Sequence, residues 1–567
     1  APLALTIAIA LAVSLAVSLL LSPALCSYLL KGGSDHDTKP IAFMKRHYER
    51  LLAAALASQK RTVAAAIGLL LVSFALVPLL GKSFIPTMKE GSIVPSIIRL
   101  PSISLDEAIK IDFEAMKAIS QVPGVRMAVS VLGRGESPAD PSGPNESNPI
   151  VSLDPDSERS QAEIEEDIRK ALAHIPGVQI VMNQPIAQRV DEMLTGVRSQ
   201  LAIKIFGDDL EELRRVSEAI AQVVKQVPGA RDIRVDRLSG QQTLTIDIDR
   251  RAIARYGINV ADIHSIIETA IGGSEVSQLY EGERRYGILL RYPEDFRNSV
   301  DVIRETMLRT ADNAMIPLES IASIKLVDSP PMVNREAGRR RVVVGANVAG
   351  RDLGGFVAEV QQQVGQKVRL PEGYFVSWGG QFENMQRAMS TLMIIVPLTI
   401  VAIYFLLFLM FNSVRLAALI ITVLPFASIG GVFGLALTGE YLSVPASVGF
   451  IALWGIAVLN GVVLITYVRK LREDGLPLND ALRQGCAQRF RPVMMTATVA
   501  LLGLVPFLFA TGPGSEVQRP LAIVVIGGLI TSTLLTLVVL PVLYRWFEPP
   551  VKESEEDRHQ RLVNADI

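Results

Sequence analysis

Seven apolar runs punctuate the sequence, at 3–30, 62–81, 391–411, 416–439, 446–468, 493–512 and 521–544. Each is long enough to cross a hydrocarbon core of about 30 Å as a helix, which takes about 20 residues. Between the second and third runs lies a polar stretch, 82–390, patterned for mixed helix and strand. At 49% hydrophobic and 20% charged, the chain is too apolar for an ordinary soluble protein and too charged for one wholly in lipid. The expected architecture is two spans, one large aqueous domain, and a bundle of five spans over 391–547.

Basic residues orient these spans, because Lys and Arg collect on the cytoplasmic side. The link 31–61 carries Lys31, Lys39, Lys45, Arg46, Arg50, Lys60 and Arg61, the link after Val468 runs from "RKLRED" to "QRFRP", and Arg545 follows the last span. Counting helices puts these loops on one side, together with the tail 548–567. "GEYLSVP" and "GPGSEVQRP" fall on the other side, with 82–390. The expected location is therefore a bacterial inner membrane, with the large domain in the periplasm. The chain opens "APLALTIAIALAVSLAVSLLLSPALC", with no charge before Lys31. A secretory signal needs a basic n-region, which is missing. The expectation is a chain that begins inside a longer protein, in or just before a membrane helix at 1–30. A net charge of -1 offers no basic field for nucleic acid. Cys26 and Cys486, both near spans, make neither a disulfide framework nor a thiolate cluster.

Three phrases recur at nearly even intervals in the outer domain: "QVPGVRMAVSV", "HIPGVQIVMN" and "QVPGARDIRV". Each Pro-Gly pair, at 123–124, 176–177 and 228–229, follows a helical pattern and precedes a strand pattern. Pro-Gly stops a helix and turns the chain. Ser104 with Glu107 and Ser160 with Glu163 read as capping boxes. "LAIKIFG" alternates as a strand, and the helix after it sets Leu210, Leu213, Val216, Ile220 and Val223 on one face. The unit is β-α-β, repeated, which predicts ferredoxin-like α+β sheets. Residues 244–335 read as a separate insert, and 336–390 return to strand, helix, strand.

The last five spans hold no Asp, Glu, Lys, Arg or His. Ion-driven transporters place ionisable groups inside the membrane to carry the coupling ion. Here the most polar residue is Asn460, in "GIAVLNGVVLI", followed by Thr496 and Thr498 in "RPVMMTATVA". An Asn or Thr at such a place also serves as a plain contact between helices. The chain has a transporter's outline without its own proton carrier.

"GFIALWGIAVLNGVVLI", "RFRPVMMTATVALLGLVPFLFATGPGSEVQRPLAIVVIGGLITSTLLTLVVLPVLY", "DEMLTGVRSQLAIKIFGDDL" and "IDRRAIARYGINVADI" resemble the resistance-nodulation-division efflux pumps, and within them the heavy-metal pumps of the cobalt-zinc-cadmium type. The resemblance runs from Leu3 to about Phe547. It implies the second half of a pump, plus the final helix of a first half whose acidic relay cluster is not in this chain. Leu459 stands where related drug pumps carry a relay lysine, and Asn460 and Thr496 match positions that support the relay. The resemblance further implies a porter subdomain at 82–200 and a second one built from 201–243 and 336–390. It makes 244–335 a docking insert, and implies a homotrimer working with a periplasmic adaptor and an outer-membrane channel. It implies a proton antiporter and not an enzyme, with no cofactor: the metal ion and protons are substrates. Membrane lipid is the remaining partner, and nucleic acid is not one.

Soft copper(I) and silver ions prefer sulfur ligands, whereas zinc, cobalt and nickel accept imidazole and carboxylate. Copper and silver relatives use a methionine cluster, but here the corresponding positions are Ser96 and Glu192, with Met193 adjacent to the latter. Asp191 and Glu192 in "RVDEMLTG" and Asp236 in "RVDRLSG" are the candidate ligands, against a plain reading as solvated loop charges. "SDHDTKP" at 34–40 reads as solvated linker. Two alternatives stand beside the metal pump. One is an exporter of organic compounds, suggested by the first span "LLLSPALCSYLLKG". The other is a truncated scaffold that assembles without transporting.

Overall fold

The computed structural model describes residues 9–10, 12–29, 39–84, 89–133, 143–189, 199–310, 312–510, 512 and 514–548. Among them, six helices are long and apolar enough to cross a membrane: Gln59–Leu80, Gln381–Phe411, Val414–Thr438, Val444–Glu473, Leu478–Phe509 and Ser515–Phe547. The seventh expected span, 3–30, is described in part, as a shorter apolar helix over Ala12–Tyr28.

Several helices outrun the apolar stretches that announced them. Val444–Glu473 and Leu478–Phe509 leave only a tight turn between them, so the basic link after Val468 is mostly helical. The link 31–61 likewise contains the helix Lys39–Ala57. Apolar length marks where a helix meets lipid, and the backbone hydrogen bonding continues beyond it. The run 416–439 is broken into Val414–Ile421 and Val423–Thr438. Pro425 explains the break, since its ring clashes with the carbonyl of Ile421 and it has no N–H to give.

Ser515–Phe547 is the hub of the bundle, with buried residues along nearly its whole length. It meets Val423–Thr438 through small residues: a Cβ built on Gly430 would lie 2.0 Å from the Gly527 carbonyl oxygen. The Gly430 N–H donates to Thr531 Oγ1 at 3.1 Å. Close backbone approach of this kind is how helices pack where apolar burial gives no net drive.

Polar contacts mark the two ends of the bundle. At one end Lys82 bridges Leu442, and Arg519 pairs with Glu440 at 3.6 Å. At the other, Arg469 donates to the Phe411 carbonyl at 2.9 Å and Arg472 pairs with Glu548 at 2.7 Å. The aqueous domain thus leaves the bundle on the face of the 440–443 link, opposite the Arg469 and Arg472 face.

In the outer domain, the first sheet holds β1 (Ser92–Ile98), β2 (Val125–Val129), β3 (Glu146–Ser147), β4 (Ile150–Leu153) and β5 (Gln179–Asn183), in the order β2-β4-β1-β3 with β5 also on β1. Helices Leu105–Ser120 and Gln161–Leu172 complete its two β-α-β units. The Ser160 box forms fully. At Ser104 only the serine half forms, accepting from the Glu107 N–H, because Glu107 turns to Lys110. Gly124, Gly177 and Gly229 all take positive φ (95, 74 and 89°), which fits the repeated turn.

The second sheet begins with β6 (Leu201–Phe206) and β7 (Ala230–Val235). The chain then leaves for the insert: β8 (Gln241–Ile248), β9 (Ser274–Glu281), β10 (Arg284–Leu290), β11 (Met307–Arg309), β12 (Met315–Pro317) and β13 (Ala322–Ser329). It returns as β14 (Asn334–Glu336), β15 (Arg339–Val348) and β16 (Phe375–Gly379), giving the order β14-β15-β6-β16 with β7 on β15. β8 pairs with β13 and not with the second sheet. All six residues of β6, which lies between β15 and β16, are buried. Even Lys204 is covered, with its ammonium reaching Glu336 at 3.1 Å. Leu213, Val216, Ile220 and Val223 pack beneath this sheet as the helical face predicted, with Leu210 partly buried beside them.

Candidate functional site

Two places hold the residues singled out in the sequence. The first is inside the bundle. Asn460 is 3% exposed on Val444–Glu473. Thr496, on Leu478–Phe509, donates to Asn460 Oδ1 at 3.3 Å and shares the same hydroxyl with the Val493 carbonyl at 2.9 Å. The structure therefore brings the two together across a helix pair. Asn460 Nδ2 is buried and has no partner among the described residues. A buried donor left unpaired costs about 1–3 kcal/mol. Beside it, Leu459 is 55% exposed, so the helix presents this edge outward. On the last helix, Thr533 and Thr536 also bury hydroxyls without partners. The sequence reading passed over both, because a threonine in an apolar run gives no sign of which way it faces.

The second place lies between the two sheets. Asp236 follows β7, half-buried, and accepts from the Val343 N–H at 3.2 Å and from Asn334 Nδ2 at 3.3 Å. Both bonds fall on Oδ2, which leaves Oδ1 out of them. Desolvation raises the Asp236 carboxyl above its ordinary value, against the opposing pull of Arg234, the Val343 N–H, Asn334 and Arg341. The same strand joins the two subdomains: Arg234 pairs with Glu146 at 3.1 Å, and Asp232 takes both arms of Arg169, at 2.5 and 3.0 Å. Asp191 and Glu192 lie outside the described residues, as does Met193. Among the described residues, no group of three or more His, Cys, Asp or Glu side chains could hold a metal ion. Ser96 is buried and donates to Asn148 Oδ1 at 2.8 Å.

Glu90 is a positioning residue that no motif announced. Its carboxylate accepts from the Ile186 and Ala187 N–H groups at 2.6 and 2.9 Å, and its own N–H donates to Gln184 at 3.1 Å. A carboxylate there caps the short helix 185–189. That helix leads directly into the segment carrying Asp191 and Glu192.

The profile of the AcrB/AcrD/AcrF family matches residues 1–548. The chain belongs to that family. It is 41% identical over 566 residues to Protein HelA of Legionella pneumophila, covering 98% of this chain and 54% of that protein. It is 37% identical over 569 residues to the cobalt-zinc-cadmium resistance protein CzcA of Cupriavidus metallidurans, again covering 98% and 54%. An X-ray structure of a heavy metal efflux pump superposes with a TM-score of 0.81 at 37% identity, over 90% of this chain and 53% of that one. The chain thus spans about half the length of the relatives it matches.

Proposed function

We propose that this chain is the C-terminal half of a proton-driven exporter of divalent heavy-metal cations, of the zinc, cobalt, cadmium and nickel class. The carrying observation is the Asn460 amide, buried among apolar runs that hold no Asp, Glu, Lys, Arg or His, with Nδ2 lacking an acceptor among the described residues. In this reading a carboxylate from the missing half accepts from Nδ2, and Thr496 fixes the amide's orientation through Oδ1. Asn460 and Thr496 then hold the relay carboxylate in place and do not themselves carry the proton. The likeness to proteins named for cobalt, zinc and cadmium resistance supports the cargo. So does the hydroxyl at 96, a poor ligand for soft ions.

The outer domain lies in the periplasm of a bacterial inner-membrane pump in this reading. The first sheet and the second sheet act as porter subdomains, and Asp191, Glu192 and Asp236 hold the ion transiently. The insert serves assembly into a homotrimer and contact with an adaptor and an outer-membrane channel. Its β9–β10 hairpin supports that role: Val276, Leu279, Tyr280, Tyr286 and Ile288 are exposed on it, more apolar surface than a free hairpin in water favours. Calorimetric titration of the whole chain with zinc tests the cargo. Binding should weaken in Glu192→Gln and Asp236→Asn. Zinc binding that is absent, or unchanged from the unaltered chain in both variants, together with binding of a hydrophobic biocide, would transfer the site to organic substrates.

A further inference from the structure

The helix Lys39–Ala57 does not close against the bundle along its whole face. Between it and the spans Leu478–Phe509 and Ser515–Phe547 runs a groove of about 520 Å³. That volume is within the range of small-molecule sites, about 300–1,000 Å³. One end is pinned: Tyr48 donates to the Leu537 carbonyl at 2.9 Å and stacks on Phe490 at 4.7 Å. From Phe490 the wall continues to Leu501 along the same span. Eleven residues of helix rise about 16 Å, close to one leaflet of a hydrocarbon core of about 30 Å. The groove therefore starts at the interfacial helix and reaches about as deep as a single acyl chain.

The mouth is basic. Phe43, His47 and Leu51 line the groove, and Arg46 and Arg50 are their helical neighbours three or four positions away. Both arginines are exposed, and neither makes an ion pair with a described residue. An apolar slot one leaflet deep, edged by cationic side chains at the headgroup level, matches a lipid with a negative head. We propose that this groove holds one acyl chain of an anionic phospholipid, with its phosphate against Arg46 and Arg50.

The test uses the whole chain in nanodiscs that mix phosphatidylglycerol and phosphatidylcholine with identical chains, followed by native mass spectrometry of retained lipid. Phosphatidylglycerol should be retained in preference. Arg46→Gln with Arg50→Gln should lower that preference about thirtyfold, since each surface cation contributes a factor of about five. Thr498→Phe, which fills the groove, should release both lipids. Equal retention of the two lipids by the unaltered chain, or an unchanged preference in the arginine variant, would overturn the proposal. A photoreactive residue at 498 identifies the occupant in native membranes without relying on any folding-sensitive variant. An adduct of phospholipid mass is expected, and an adduct to polypeptide would assign the groove to a protein segment instead.

Discussion

The outer domain and the membrane bundle differ in how they handle buried charge. In the first sheet, Arg99 is 1% exposed, yet its charge is neutralised within the same subdomain. Its Nη2 reaches Asp112 at 2.5 Å and Ser147 at 3.1 Å, and Ser147 donates back to Asp112 at 2.6 Å. In the bundle there is no charge to neutralise in the last five spans, and the one amide is left with an unpaired donor. The outer domain supplies its buried charge with a counter-ion, although Arg99 Nε and Nη1 have no hydrogen-bond partner among the described residues, whereas the last five spans hold no such charge and leave the Asn460 amide donor unpaired. That asymmetry is what a division between cargo handling and energy coupling would leave when the coupling groups belong to another segment.

The sharpest way to break the comparison is to remove one partner of the buried ion pair. Arg99→Ala leaves Asp112 buried without its counter-ion and should destabilise the first subdomain by about 3–5 kcal/mol. Urea titration followed by limited proteolysis should show early cleavage around 92–183, with the bundle helices unaffected. Equal loss of both regions would mean that the two are one cooperative unit.

The opposite manipulation on the bundle should have the opposite sign. Asn460→Leu removes an unsatisfied donor and should leave the isolated chain as stable as before or stabilise it by about 1 kcal/mol. In a complete pump the same change should cut transport while expression and assembly persist. Normal transport would reduce Asn460 to a helix contact. A marked loss of stability in the isolated chain would show that its own helices satisfy the amide.

The smallest effect concerns Asp236. Its folded-state carboxyl is raised by burial, so the charged form is disfavoured on folding. Its contribution to stability is therefore present at low pH and lost as pH rises through the folded-state value. Asp236→Asn keeps an acceptor for the Val343 N–H and removes that pH dependence. The variant's advantage in thermal unfolding should grow from pH 4 towards pH 7, by on the order of 1 kcal/mol or less for a half-buried group. If Asp236 also binds the metal, binding should be lost at a higher pH than an ordinary carboxylate of about 4 would give. An advantage that shrinks with rising pH would reverse the sign of the shift.

Much of this arrangement was legible before the structure. The apolar runs gave the spans because length against bilayer thickness is a one-dimensional test. The Pro-Gly repeats gave the β-α-β units because the turn needs a residue tolerant of positive φ at a fixed place after each helix. A fourth unit, Arg339–Val348 through Phe375–Gly379, was legible as strand, helix, strand without the Pro-Gly phrase, because Glu372 separates Pro371 from the turn at Gly373. Pairings remote in sequence were not legible. Arg99 with Asp112 and Ser147, Glu90 under the 185–189 helix, and β8 with β13 depend on how strands are ordered, which local pattern does not encode. Asn460 and Thr496 were legible as polar residues in apolar runs. That they share a hydrogen bond while Nδ2 stays unpaired depends on the rotation of two helices. The helical character of the basic links was missed because charge was read as loop, whereas amphipathic helices at an interface are rich in Lys and Arg.

The central claim is that this chain carries half of a proton-driven metal exporter and lacks the coupling groups. It is tested by zinc flux in proteoliposomes under an imposed pH gradient, with the chain alone and with the N-terminal half of a relative's pump supplied. The account predicts no gradient-dependent flux from the chain alone and restored flux with both halves. Gradient-driven zinc transport by the chain alone would contradict it.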